Sequence, residues 1–140
     1  MPEIFLDSET AMEELGAHLA TKTPPGGTWL LRGELGSGKT TWARGFVNGL
    51  GGDPEQVSSP TYAVMHRYEL AKGAVFHLDL YRLGPSGAWT LGLEDCVTDS
   101  DWLIVEWAGP DGPWTSGWIS CLDLTYAPNG RNAAWSGSIV

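Results

Sequence analysis

Positive charge is scarce in this 140-residue chain: eight lysines and arginines face 17 aspartates and glutamates, a formal net charge of −9. Such a surface opposes any extended electrostatic track for nucleic acid or anionic lipid, so no strong direct nucleic-acid binding and no membrane contact are expected. A protein partner with a basic surface is the natural counterpart. Cysteine is rarer still. Cys96 and Cys121 stand alone, without C-x-x-C spacing or a nearby histidine cluster, which leaves neither a zinc site nor a disulfide framework and favours two reduced thiols. No apolar run is long enough to span a bilayer. The first residues carry Glu3, Asp7, Glu9, Glu13 and Glu14 where a signal peptide needs basic residues and an apolar core, so a cytoplasmic protein is expected. The length suits one domain over residues 1–140, with room for a sheet covered by helices and none for a second domain.

Of the three lysines, Lys22, Lys39 and Lys72, one lies in the most informative stretch of the chain. Residues 33–40 read Gly33, Glu34, Leu35, Gly36, Ser37, Gly38, Lys39, Thr40, a complete G-x-x-x-x-G-K-[ST] phosphate-binding loop. It follows the short apolar run Trp29-Leu30-Leu31 and precedes Trp42, Phe46, Val47 and Leu50, whose spacing lays one apolar helix face on a sheet. Glycine lets the backbone curl around an anion and turn successive N–H groups inward. A helix starting near Gly38 adds its unpaired first-turn N–H groups and the positive end of its dipole. Lys39 then reaches the β- and γ-phosphates, the Thr40 hydroxyl is placed for Mg²⁺, and Thr41 makes a further polar contact on the α-phosphate side.

Elsewhere the pattern alternates helix and strand. Ala11, Met12, Leu15 and Leu19 line an acidic helix starting between Ser8 and Thr10, with Thr10 and Glu13 in capping-box spacing, and Pro24-Pro25-Gly26-Gly27 ends it. Residues 63–70 and 74–83 read as strands joined by Ala71-Lys72-Gly73, an antiparallel hairpin. Residues 89–97 suit a short helix, 102–106 a strand, and 118–126 with 131–140 a last hairpin around Pro128-Asn129-Gly130. The fold class expected is α/β: a P-loop NTPase-like three-layer sandwich with a mixed, partly parallel central sheet and a C-terminal hairpin. Eight tryptophans are many, yet single aromatics on strands mostly pack.

A phosphate loop needs a carboxylate at the end of a neighbouring strand to hold the Mg²⁺ shell or orient the attacking water. Two are offered: the run 74–78 ends in Asp79, and 103–105 ends in Glu106. Strand alternation puts His77, Asp79 and Tyr81 on one face and Phe76, Leu78, Leu80 and Arg82 on the other. Three readings stay open for His77: support of Asp79 by hydrogen bonding, a satisfied structural histidine, or a proton-transfer role.

The ordered set Gly33 to Thr41, Ser59-Pro60-Thr61-Tyr62, His77-Leu78-Asp79-Leu80-Tyr81-Arg82-Leu83 and Val105-Glu106-Trp107 resembles the bacterial TsaE (YjeE) family over residues from about 8 to 107, with the final thirty or so matching weakly. That resemblance implies a small Mg²⁺-dependent ATPase, cycling between ATP and ADP, that binds the TsaD and TsaB proteins. These make threonylcarbamoyladenosine in tRNAs reading codons that start with A. It further implies that Lys39, Asp79 and Glu106 are essential to catalysis, that Thr40 with the two acids serves the metal, that Trp107 lies near the nucleotide, and that Ser59 to Tyr62 form a switch segment. It leaves open which acid touches the metal. Two other readings share the same loop: a small-molecule kinase, and a nucleotide-sensing module without useful turnover. A kinase lacks room here for an acceptor pocket and an arginine-rich lid, and no N-K-x-D motif supports a GTPase.

Overall fold

The computed structural model describes residues 2–58, 65–82, 88–89, 91–108, 112–114 and 118–137. Within them the strands are β1 (Glu3–Leu6), β2 (Thr28–Arg32), β3 (Met65–Glu69), β4 (Ala74–Asp79), β5 (Trp102–Glu106), β6 (Ile119–Ala127) and β7 (Gly130–Gly137). The α-helices are α1 (Glu9–Thr21), α2 (Lys39–Gly49) and the single-turn α3 (Leu93–Cys96). The strands form one sheet in the order β1-β7-β6-β2-β5-β4-β3. Its centre is parallel, β6, β2, β5 and β4 running together, while β3, β7 and β1 join antiparallel at the two sides. This is the mixed α/β architecture expected from the sequence.

Burial on both faces explains why the central strands read as continuous apolar runs. Trp29, Leu31, Val75, Ile104 and Leu122 point to the side covered by α1 and α2, where they meet Leu15, Leu19, Trp42, Phe46 and Val47. Leu30, Phe76, Leu78, Leu103 and Val105 point the other way, onto Leu80, Ala88, Leu93 and Trp114. This third layer is thin. The helix expected over 89–97 shrinks to α3, preceded by Gly92 at φ +66°, a conformation that starts the turn late.

The remaining differences are local. Ser8, rather than Thr10, caps α1: its side chain accepts from the Ala11 N–H, because the chain leaves β1 extended and turns at Ser8. β1 itself, four residues with only Leu6 buried, was not expected; it is an edge strand whose sequence shows no clean alternation. β4 stops at Asp79 instead of running to 83. The Asp79 side chain accepts from the Tyr81 N–H at 2.9 Å, an Asx turn that bends the chain out of the sheet. The hairpin β6–β7 turns at Pro128-Asn129 as expected, with Asn129 at φ +64°.

Helices α1 and α2 cross with backbones in contact. A Cβ on Gly45 would overlap the Glu13 carbonyl, and one on Gly16 the Trp42 carbonyl. Arg44 adds a half-exposed ion pair to Glu13 at 3.5 Å, worth little by itself. Backbone cannot repack around an added methyl, so Gly45→Ala is expected to cost about 3 kcal/mol of overpacking against about 1 kcal/mol of improved helix propensity. Chemical denaturation should show a net loss of about 2 kcal/mol; equal or greater stability would contradict this packing.

Candidate functional site

Three parallel strands end side by side at one edge of the sheet. Leu31 of β2 is in register with Glu106 of β5, and Glu106 with Asp79 of β4. β2 runs directly into the loop 33–38 and α2, so the loop and both acids occupy the carboxyl ends of adjacent strands, where open α/β sheets bind ligands. Glu106 is buried at 3% exposure, whereas Asp79 is partly exposed and already engaged by its Asx turn.

The loop is shaped as an anion cradle. Gly38, the residue before α2, has φ +110°, and no side chain caps the helix. Its first-turn N–H groups are thus left for a ligand. Gly33 is held to glycine by space: a Cβ would come 2.5 Å from Ser37 Oγ and 2.9 Å from the Leu124 carbonyl. Ser37 Oγ is buried without a hydrogen-bond partner, an arrangement that costs free energy until something polar meets it. Glu34 and Leu35 project outward from the loop, so their share in binding is through backbone; Leu35 is 71% exposed.

Lys39 is folded back on the chain itself. Its Nζ donates to the Gly33 carbonyl at 2.7 Å and lies 3.7 Å from the centroid of the Trp107 ring. Burial lowers its pKa from the ordinary value, and the carboxylates of Glu106 and then Asp79 pull it back up. A desolvated ammonium held by a carbonyl and a π face is one that an incoming polyphosphate satisfies better. Trp107 stands in the left-handed region at φ +62°, uncommon for a large side chain, and also packs on Tyr81 at 5.0 Å between centroids.

The donor set suits a magnesium nucleotide. Among the described residues no group of three or more His, Cys, Asp or Glu could hold a metal alone. Mg²⁺ at phosphate sites commonly takes only one or two protein ligands besides phosphate and water, and Thr40, Glu106 and Asp79 are the residues here that could serve as such.

Of the readings open for His77, the structure matches the satisfied buried histidine. It does not support Asp79; its Nε2 lies 2.5 Å from Glu106 Oε2, and both side chains are buried. Diagonal placement across the β4–β5 pair, where His77 is in register with Ile104, brings the imidazole to the next same-face position on β5. Ser59, Pro60, Thr61 and Tyr62, the expected switch segment, lie outside the described residues.

Sequence reasoning also missed the part played by the last hairpin. Tyr126 and Arg131, opposite one another in β6 and β7, brace the loop: the Tyr126 hydroxyl donates to the Leu35 carbonyl and Arg131 to the Gly36 carbonyl at 3.2 Å. The Arg131 guanidinium also stacks over Tyr126 at 4.5 Å. Beside them opens a cavity of about 400 Å³ bounded by Asp7, Ser8, Met12, Gly38, Thr41 and Arg131. It continues the loop toward the start of α1. No fixed motif marks such a pocket, and only the return of β7 beside β1 assembles it.

Fold and loop together define the class: an α/β protein of P-loop type. The family model described as threonylcarbamoyl adenosine biosynthesis protein TsaE matches residues 6–129, and the chain belongs to that family. Curated relatives carry the name tRNA threonylcarbamoyladenosine biosynthesis protein TsaE. That of a Nostoc species is 38% identical over 96% of this chain and 84% of its own length. That of a Synechocystis species is 43% identical over 58% of this chain and 51% of its own, and that of Rickettsia felis 30% identical over 75% and 61%. The chain therefore spans between about half and four-fifths of these three relatives' lengths. The crystal structure of Bacillus subtilis YdiB superimposes with a TM-score of 0.69 over 94% of this chain and 82% of that one, at 20% identity, a likeness of fold.

Removing both braces, in Tyr126→Phe combined with Arg131→Ala, should free the loop by the worth of two hydrogen bonds, about 1–3 kcal/mol. Amide hydrogen exchange over residues 33–38 is expected to quicken at least fivefold with the rest of the sheet unaffected. Unchanged exchange would show that the hairpin does not brace the loop.

Proposed function

We propose that this chain is an ATP-binding, slowly hydrolysing, Mg²⁺-dependent ATPase that supports threonylcarbamoyladenosine modification of tRNA by acting on a complex of the TsaD and TsaB proteins. The pathway comes from the names borne by the family and its relatives. The observation that carries the chemistry is the shared register of Glu106 and Asp79 at the strand ends beside the phosphate loop, with Lys39 between burial and those two charges.

In this reading the first-turn N–H groups of α2 and the inward amides of residues 33–38 bind the phosphates. Lys39 exchanges the Gly33 carbonyl and the Trp107 face for β- and γ-phosphate oxygens, and Thr40 with one of the acids holds the metal. Mg²⁺, when bound, would supply charge neutralisation to the phosphates. Glu106, fixed by its buried hydrogen bond, orients the attacking water, and Asp79 completes the polar shell. The Trp107 ring limits access of bulk water beside Lys39, and the cavity bounded by Asp7, Ser8 and Arg131 takes the nucleoside. The acidic chain presents little to attract tRNA directly, in keeping with action through protein partners.

Lys39→Ala is expected to weaken ATP binding at least tenfold, since a buried phosphate loses a charge-assisted partner worth about 1.5–3 kcal/mol. Glu106→Gln and Asp79→Asn should keep ATP affinity within a few-fold and lower turnover by about 10²-fold or more. Turnover should rise when TsaD and TsaB are added together. Parental turnover in Glu106→Gln with the partners present would remove its catalytic role. If the pair had no effect while a small metabolite accelerated ATP consumption, a kinase would be the better reading.

A further inference from the structure

Behind Glu106 lies a buried polar chain, and the proposed chemistry uses only its innermost bond, His77 to Glu106. His77 is fully buried, Tyr68 is 3% exposed, and Glu106 is 3% exposed. All three project to the α1–α2 side of the sheet from three successive strands, β3, β4 and β5. His77 Nε2 meets Glu106 Oε2 at 2.5 Å, and His77 Nδ1 meets the Tyr68 hydroxyl at 3.1 Å. The same hydroxyl lies 3.4 Å from the Ser58 carbonyl and 3.4 Å from His66 Nδ1.

We infer that His77 and Tyr68 are positioning residues for Glu106: Tyr68 fixes the imidazole in its Nε2–H tautomer, and His77 thereby holds the Glu106 carboxylate at one oxygen, leaving the other free for the reacting centre.

The proton inventory leads there. A neutral imidazole has one donor and one acceptor nitrogen. With the ring neutral and Glu106 a carboxylate, a lone pair on Nε2 would confront a carboxylate oxygen at 2.5 Å with no hydrogen between them; in that state Nε2 carries the proton and Nδ1 accepts. The only donor recorded against Nδ1 among the described residues is the Tyr68 hydroxyl. That hydroxyl has one proton, and its shortest acceptor is Nδ1; the Ser58 carbonyl at 3.4 Å is beyond the ordinary O–H···O range, and His66 Nδ1 is equally distant. Burial pushes the Tyr68 pKa up to about 12, partly offset by a backbone hydrogen bond at Ser58, so the hydroxyl keeps its proton for this task at any physiological pH. Histidines that orient a reacting carboxylate or nucleophile act through this division of labour between the two ring nitrogens, and the tautomer is set by the outer hydrogen bond.

The inference rests on the hydrolase reading for its consequence and on the tautomer for its structure, so two measurements on the full chain separate them. Long-range ¹H–¹⁵N correlation of the imidazoles, assigned with His77→Gln, is expected to show His77 protonated at Nε2 and bare at Nδ1. In Tyr68→Phe the Nδ1 signal should shift as its donor is lost. A His77 protonated at Nδ1, alone or together with Nε2, would overturn the inference, whether or not the chain hydrolyses ATP. In steady-state kinetics Tyr68→Phe should lower kcat about tenfold and His77→Leu about 10²-fold, each with ATP affinity within about twofold of the parent. His77→Gln, which retains an N–H near Nε2, should recover most of the His77→Leu loss. Parental kcat in Tyr68→Phe, or no recovery by His77→Gln in a variant that binds ATP normally, would overturn it. Absence of turnover in the parent would count against the hydrolase reading, and the tautomer would still decide the inference.

Discussion

Parallel register across β2, β5 and β4 is the constraint on which the site depends. Leu31, Glu106 and Asp79 are level with one another, so the strand feeding the phosphate loop and the two strands ending in acids stop at the same height. Side-chain direction alternates along each strand, and a slip of one residue between β5 and its neighbours would turn Glu106 away from α2 and expose Val105 in its place. The apolar faces resist that slip. Ile104 and Trp102 belong to the α1–α2 side, Leu103 and Val105 to the other, and exchanging them would disrupt both cores at once. Register needed for packing is therefore also register needed for chemistry.

Within that frame the buried polar groups form two opposed sets. Glu106, His77 and Tyr68 are joined by hydrogen bonds beneath the strand ends, while Lys39 faces them from the start of α2, its charge supported by Glu106 and Asp79. Such groups are costly to bury singly and acceptable when each has a partner. The exceptions on the described chain are Ser37 Oγ and the Trp42 indole nitrogen, and the first of these lies inside the loop. The unpartnered Ser37 hydroxyl thus lies beside the uncapped start of α2.

Much of this was legible in the sequence because the signals are local. The loop's eight residues, the apolar run before them and the helical spacing after them specify a strand-loop-helix unit, and an acid at the end of each of two apolar runs marks Asp79 and Glu106. Helix α1, the hairpin β3–β4 and the hairpin β6–β7 follow from periodicity and turn residues. What was not legible depends on contacts distant in sequence. His77 pairs with Glu106, 29 residues away, through strand adjacency that alternation along β4 does not specify. Arg131 reaches the Gly36 carbonyl because β7 returns beside β1, and β1 shows no pattern of its own until it is paired. The early end of β4 follows from one Asx turn that competes with an otherwise continuous strand pattern.

Calorimetric titration of the purified chain with ATP, in the presence and absence of Mg²⁺, tests the central claim most directly. One saturable site per chain, tighter with Mg²⁺ than without, is the result expected of a cradle completed by Thr40, Glu106 and Asp79. No measurable binding under either condition, or binding of adenosine as strong as that of ATP, would contradict a site organised around the phosphates.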